Sequence, residues 1–144
     1  MALERAWQKA LVILLLVYST ASLVHHVHNA EFLADYPNLP AWLTRARVYA
    51  AWLGEALIGA LGYLLLRRGR HLAGLCLIGI YALLGFDGFG HYALAPVGAH
   101  TAAMNATIWL EAGTATLLLA AVAVLTRRLV RRRPTAALSR GPTG

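Results

Sequence analysis

Asp87 and His91 stand four residues apart in Gly85-Phe86-Asp87-Gly88-Phe89-Gly90-His91-Tyr92, inside a long apolar run. On a helix that spacing stacks the carboxylate and the imidazole on one face, about one turn apart. Both could then reach a single metal ion. A carboxylate this deep in an apolar span costs roughly 2.5–3.5 kcal/mol on insertion scales, so such groups are normally partnered and functional. The surrounding glycines leave room for a neighbouring backbone or a ligand to come close.

Other residues of the same chemistry lie in the other apolar runs. In His25-His26-Val27-His28 the outer pair, His25 and His28, share a helical face, and Glu31 extends their i, i+3 row. His26 lies about 100° round the helix and reads as an interfacial polar cap. Glu55 falls on a stripe with Ala51, Gly59 and Gly62, a small-residue face suited to close helix packing. His100, Met104, Thr107, Glu111 and Thr114 form one continuous stripe, with Glu111 about three turns deep. His25, His28, Asp87, His91 and His100 are the candidate metal ligands, with Glu31 adjoining them, and Glu55 and Glu111 are the candidate catalytic carboxylates. Cys76 lies about 16 Å along the helix from Asp87, too far to share an ion, and reads as a small core residue. His71 reads as a solvated loop residue.

The elements that position these groups follow from composition. Of 144 residues 59% are hydrophobic and only 13% charged, whereas a soluble domain is nearer half apolar and a quarter charged. Four runs, 10–29, 48–66, 72–95 and 101–126, are each long enough, at about 20 residues, to cross a bilayer. Residues 1–133 therefore form a single all-α domain, a four-transmembrane-helix antiparallel bundle, and 134–144 a disordered cytoplasmic tail. The single cysteine excludes an intrachain disulfide and any thiolate metal motif.

Charge orients the bundle. Arg5 and Lys9 precede the first run, Arg67, Arg68 and Arg70 separate the second from the third, and six arginines follow the fourth. That puts 11 of 13 basic residues on one side, leaving Arg45 and Arg47 opposite. The positive-inside rule makes both termini cytoplasmic, in a multi-pass protein of a bacterial-type plasma membrane. The net charge of +7 is thus topogenic, and the basic tail meets anionic lipid head groups, with no nucleic-acid partner. The start resembles a signal peptide, a basic flank and apolar run leading to Ser19-Thr20-Ala21-Ser22. Cleavage there would invert the charge pattern, so the segment is read as the first span. Thr44 is the expected N-cap of the second helix, and Arg45 and Arg47 the expected partners of Glu31 or Asp35.

With this topology all four helices place ionisable groups in the outer half of the membrane, including five of the six histidines and five of the six acids. Glu55, Asp87 and Glu111 cannot all stay ionised at close quarters without positive charge. A His/carboxylate set without thiolate suits Zn, Fe or Cu. Haem is the alternative, needing two histidines facing each other at one depth. Two function classes follow. One is a metal-dependent membrane enzyme, a hydrolase or oxidoreductase acting on a lipidic or small apolar substrate, with Glu111 or Glu55 moving protons. The other is a non-catalytic haem- or metal-carrying membrane subunit, or a small proton- or ion-coupled transporter. A transporter pathway would need polar groups in the inner half as well, and that half is apolar.

Overall fold

The computed structural model describes residues 2–131. It is all helical: α1 (Ala2–Glu31), a 3-10 turn (Leu33–Asp35), α2 (Arg45–Arg67), α3 (His71–Leu84), a second 3-10 turn (Asp87–Phe89), α4 (Gly90–Leu94), a third 3-10 turn (Val97–Ala99) and α5 (Ala102–Arg131). Among the described residues four stretches are long and apolar enough to cross a membrane: Trp7–Glu31, Arg45–Arg67, His71–Leu94 and Ala102–Arg131. The expected tail from 134 to 144 lies outside the described residues.

The helices close into a ring, α1 against α2 and α5, and α3 against the same two. Arg128 stacks 4.2 Å over the ring of Trp7, so the start of α1 and the end of α5 share one end of the bundle. This is the arginine end, and His25 to His28 and His100 mark the other, the histidine end. Side chains are sorted in the sense opposite to a soluble domain. Leu16, Leu57, Leu61, Leu83 and Leu117 face outward, whereas Ser22, His25, His26, Asn29, His91, His100 and Glu111 are buried.

The arginine-end half is apolar, built on Leu11, Tyr18, Leu75, Ile78, Tyr81, Leu118 and Val122. The small-residue stripe of α2 does what its composition predicts. A Cβ on Gly62 would stand 2.8 Å from Ile78 and 3.1 Å from the carbonyl of Gly74, and one on Gly74 would stand 2.7 Å from the carbonyl of Gly62. The backbones of α2 and α3 touch there. Gly62→Val is therefore expected to cost about 1–3 kcal/mol of stability, as overpacking does. Thermal unfolding in detergent checks this, with Gly54→Val as control, since a Cβ on Gly54 meets nothing within 4 Å.

The third span differs from the expected single helix. Its α-helical part stops at Leu84, and Asp87 sits in a 3-10 turn before a new helical turn carries His91. The cause is local. Glycine is a poor helix former, and Gly85 faces Tyr18 so closely that a Cβ would lie 2.6 Å from its ring. Tyr18 also donates its hydroxyl to the Tyr81 carbonyl at 3.0 Å. That carbonyl belongs to the last turn of α3, where i+4 donors run out. Asp87 and His91 consequently do not share a regular helical face.

At the histidine end the connections are pinned. Thr44 caps α2, accepting from the Arg47 N–H at 3.3 Å. Glu31 takes the Arg45 guanidinium at 2.6 Å and the Tyr49 hydroxyl at 2.6 Å. Asn38 donates to the Leu94 carbonyl at 2.9 Å, tying the first loop to the end of α4. Tyr36 is buried beneath that loop, and burial pushes its phenol up to about 12, leaving it protonated and a hydrogen-bond donor. Cys76, expected in the core, is exposed.

Candidate metal centre

His26 occupies the centre of the histidine end. Its Nδ1 lies 3.0 Å from the carbonyl of Ser22, one turn earlier on α1. A carbonyl only accepts, so Nδ1 carries the proton and Nε2 keeps its lone pair. That lone pair faces carboxylates from two other segments. One ligand atom each from His26, Glu55 and Asp87 lie within 4.8 Å of one another. The His26 Nε2 to Glu55 Oε1 distance is 3.9 Å, too long for a hydrogen bond. Two ligands held about 2.0–2.2 Å from a tetrahedral ion stand about 3.3–3.6 Å apart, so a small inward movement would let all three share one. An imidazole oriented by a backbone carbonyl through its other nitrogen is the usual second-shell arrangement of metal-ligating histidine. His26 is buried, Glu55 partly so, and Asp87 is exposed at the rim. The group is a His/carboxylate set that could bind a metal ion.

Glu111 and His25 form the floor. Glu111 is fully buried, with its carboxylate 3.8 Å from His26 Nδ1 and 3.7 Å from His25 Nε2. His25 Nδ1 lies 3.3 Å from the Thr107 hydroxyl, which donates onward to the Met104 carbonyl. With that hydroxyl's proton on the Met104 carbonyl, the His25 tautomer that carries its proton on Nδ1 satisfies Thr107 and turns the Nε2 lone pair toward Glu111.

The remaining histidines gather nearer the rim, around Tyr36. His91 Nε2 is 3.0 Å from the Asn29 amide nitrogen, and the His91 ring stacks on Tyr36 with centroids 4.6 Å apart. His100 gives its Nδ1 proton to the Pro96 carbonyl at 3.1 Å and leaves a buried Nε2 without a partner among the described residues. The rings of His91 and His100 are 6.1 Å apart. His28 Nδ1 receives the Tyr36 hydroxyl at 2.9 Å, which turns it toward the loop. Glu31, spent on Arg45 and Tyr49, stands apart from both groups.

The structure thus brings Asp87 and Glu55 together, sets Glu111 and His25 beneath them, and places His91, His100 and His28 around Tyr36, with the His91 ring 5.8 Å from that of His25. Sequence reasoning assigned His26 to the membrane interface and missed its position at the centre. The available signal was the demand of the buried acids for a positive partner at their own depth. No protein-family model, curated protein or solved structure matches this chain. The functional reading therefore stands on the site.

Proposed function

We propose that this chain is an integral membrane metalloprotein whose ion is held by His26, Glu55 and Asp87, in the outer half of a bacterial-type plasma membrane. The observation that carries this reading is the meeting of three ligand atoms from three segments within 4.8 Å. One imidazole and two carboxylates suit Zn²⁺, Fe or Cu(II) and disfavour the softer Cu(I). Such an ion supplies Lewis acidity or activates water or dioxygen. Glu111, beside His26, is placed to hold or pass a proton. Asp87 at the exposed rim gives a lipidic or small apolar substrate a side entrance, which favours a metal-dependent enzyme, hydrolase or oxidoreductase, over a closed structural site.

A haem-carrying subunit is the second reading. On its side stands the closeness of the His25 and His91 rings, whose centroids are 5.8 Å apart in an edge-on arrangement. Elemental analysis with an absorption spectrum of the gently purified protein separates the two. A stoichiometric metal without a Soret band is the expected result, a Soret band would install haem instead, and neither would sink both.

The arginine end faces the cytoplasm in this reading, with its basic residues against anionic head groups. A single cysteine placed at Asn38 in a Cys76→Ala background is expected to react with a membrane-impermeant maleimide added to intact cells. Labelling only after lysis would invert the topology.

A further inference from the structure

We propose that a second cation, of the same class as the first, binds between His25 Nε2 and the Glu111 carboxylate, so that the centre holds two ions. This rests on the reading of His26, Glu55 and Asp87 as the first position. Glu111 is 0% exposed, and neither of its carboxylate oxygens has a hydrogen-bond partner among the described residues. Its neighbour at 3.7 Å is His25 Nε2, which carries a lone pair in the tautomer whose proton sits on Nδ1, toward Thr107. Two lone-pair atoms therefore face each other in a solvent-excluded site, an arrangement that costs free energy unless positive charge lies between them. The gap is too long for a hydrogen bond. It is within a few tenths of an ångström of the separation of two ligands on one ion, about 3.3–3.6 Å.

Two further features belong to the same place. Gly88 lies against His25, where a Cβ would stand 3.4 Å from Nε2 and 3.5 Å from Cε1. The missing side chain keeps the space beside the lone pair clear. The Ser22 hydroxyl, also 0% exposed, lies beside the Glu111 carboxylate as a nearby donor, without a well-formed hydrogen bond among the described residues, and its oxygen can turn to an ion there. The first position shares none of these atoms: it uses the Nε2 side of His26, while Glu111 faces Nδ1.

The test is a Co²⁺ titration of the full-length, metal-stripped protein in detergent, read from the visible d–d absorption. Wild type is expected to reach its endpoint at two equivalents. Glu111→Gln should end at one, and Gly88→Ala, which keeps every ligand and fills the space beside His25, should also end at one. If Glu111→Gln does not insert, Gly88→Ala decides alone. A wild-type endpoint at one equivalent, lost in His26→Ala and unchanged in Glu111→Gln, would overturn the second position and leave the first standing. Two equivalents retained by Gly88→Ala, alone or together with Glu111→Gln, would overturn it as well. No Co²⁺ uptake by wild type would remove both positions.

Discussion

The His26→Ala protein is expected to lose its first ion while keeping its fold. The imidazole is the only nitrogen in the His26, Glu55 and Asp87 group, and its orientation is fixed by the Ser22 carbonyl. Removing even an outer-shell partner of a metal ligand typically costs 10–100-fold in affinity. Loss of a ligand itself should exceed that, more than about 1.4–2.8 kcal/mol. His91→Ala is the matched control, because His91 is engaged with Asn29 and Tyr36 rather than with the carboxylates. Elemental analysis of both variants, with circular dichroism to establish helix content, checks the expectation. Metal retained by His26→Ala but lost by His91→Ala would move the centre to the rim cluster.

Glu111→Leu is expected to change stability in opposite directions with and without metal. In chelator-treated protein the fully buried carboxylate has no hydrogen-bond partner among the described residues, and such a group is costly to bury. Replacing a poorly supported buried polar group by a hydrophobic residue of similar volume removes that desolvation cost, about 1–3 kcal/mol, so the variant should melt at or above wild type. In the loaded protein the same change removes a ligand of the second ion, and with it the stabilisation that binding adds to the folded state. Melting curves of wild type and variant, each with and without chelator, give four numbers to compare. An equal shift in both conditions would mean that Glu111 plays no part in ion binding.

Much of this architecture is legible in the sequence because bilayer physics acts on runs of residues. Four apolar stretches of about 20 residues have little else they can be, and the four spans follow from length and hydropathy. Depth is legible too. Counting from the ends of the runs puts His25, Glu55 and Glu111 all in the same half of the bundle, at about one, two and three turns in, and the structure brings His25 to Glu111 and Glu55 to His26 there. The glycines of α2 announced a close helix crossing, and Gly62 against Gly74 provides it.

Rotation about each helix axis is what the sequence does not carry. His25 and His26 differ by about 100° of azimuth, and which of them meets Glu55 depends on how α1 turns against α2. Tyr18 contributes to that setting through its bond to the Tyr81 carbonyl, a contact between residues 63 apart in the chain. The same contact crowds Gly85, so the regular periodicity that would have paired Asp87 with His91 fails there. An i, i+4 pairing needs a regular helix, and long-range packing at Gly85 interrupts the helix just ahead of the two residues.

That interruption distributes stiffness unevenly around the centre. His25, His26, Glu55 and Glu111 ride on helices that run the length of the bundle, and moving any one of them displaces a whole rod. Asp87 rides on a short joint between α3 and α4, at the exposed rim. The far end of the same short segment, at Leu94, is held by Asn38. Of the five groups, four are therefore carried by long rods and one, Asp87, by a short irregular joint at the exposed side, the position least constrained by regular helix.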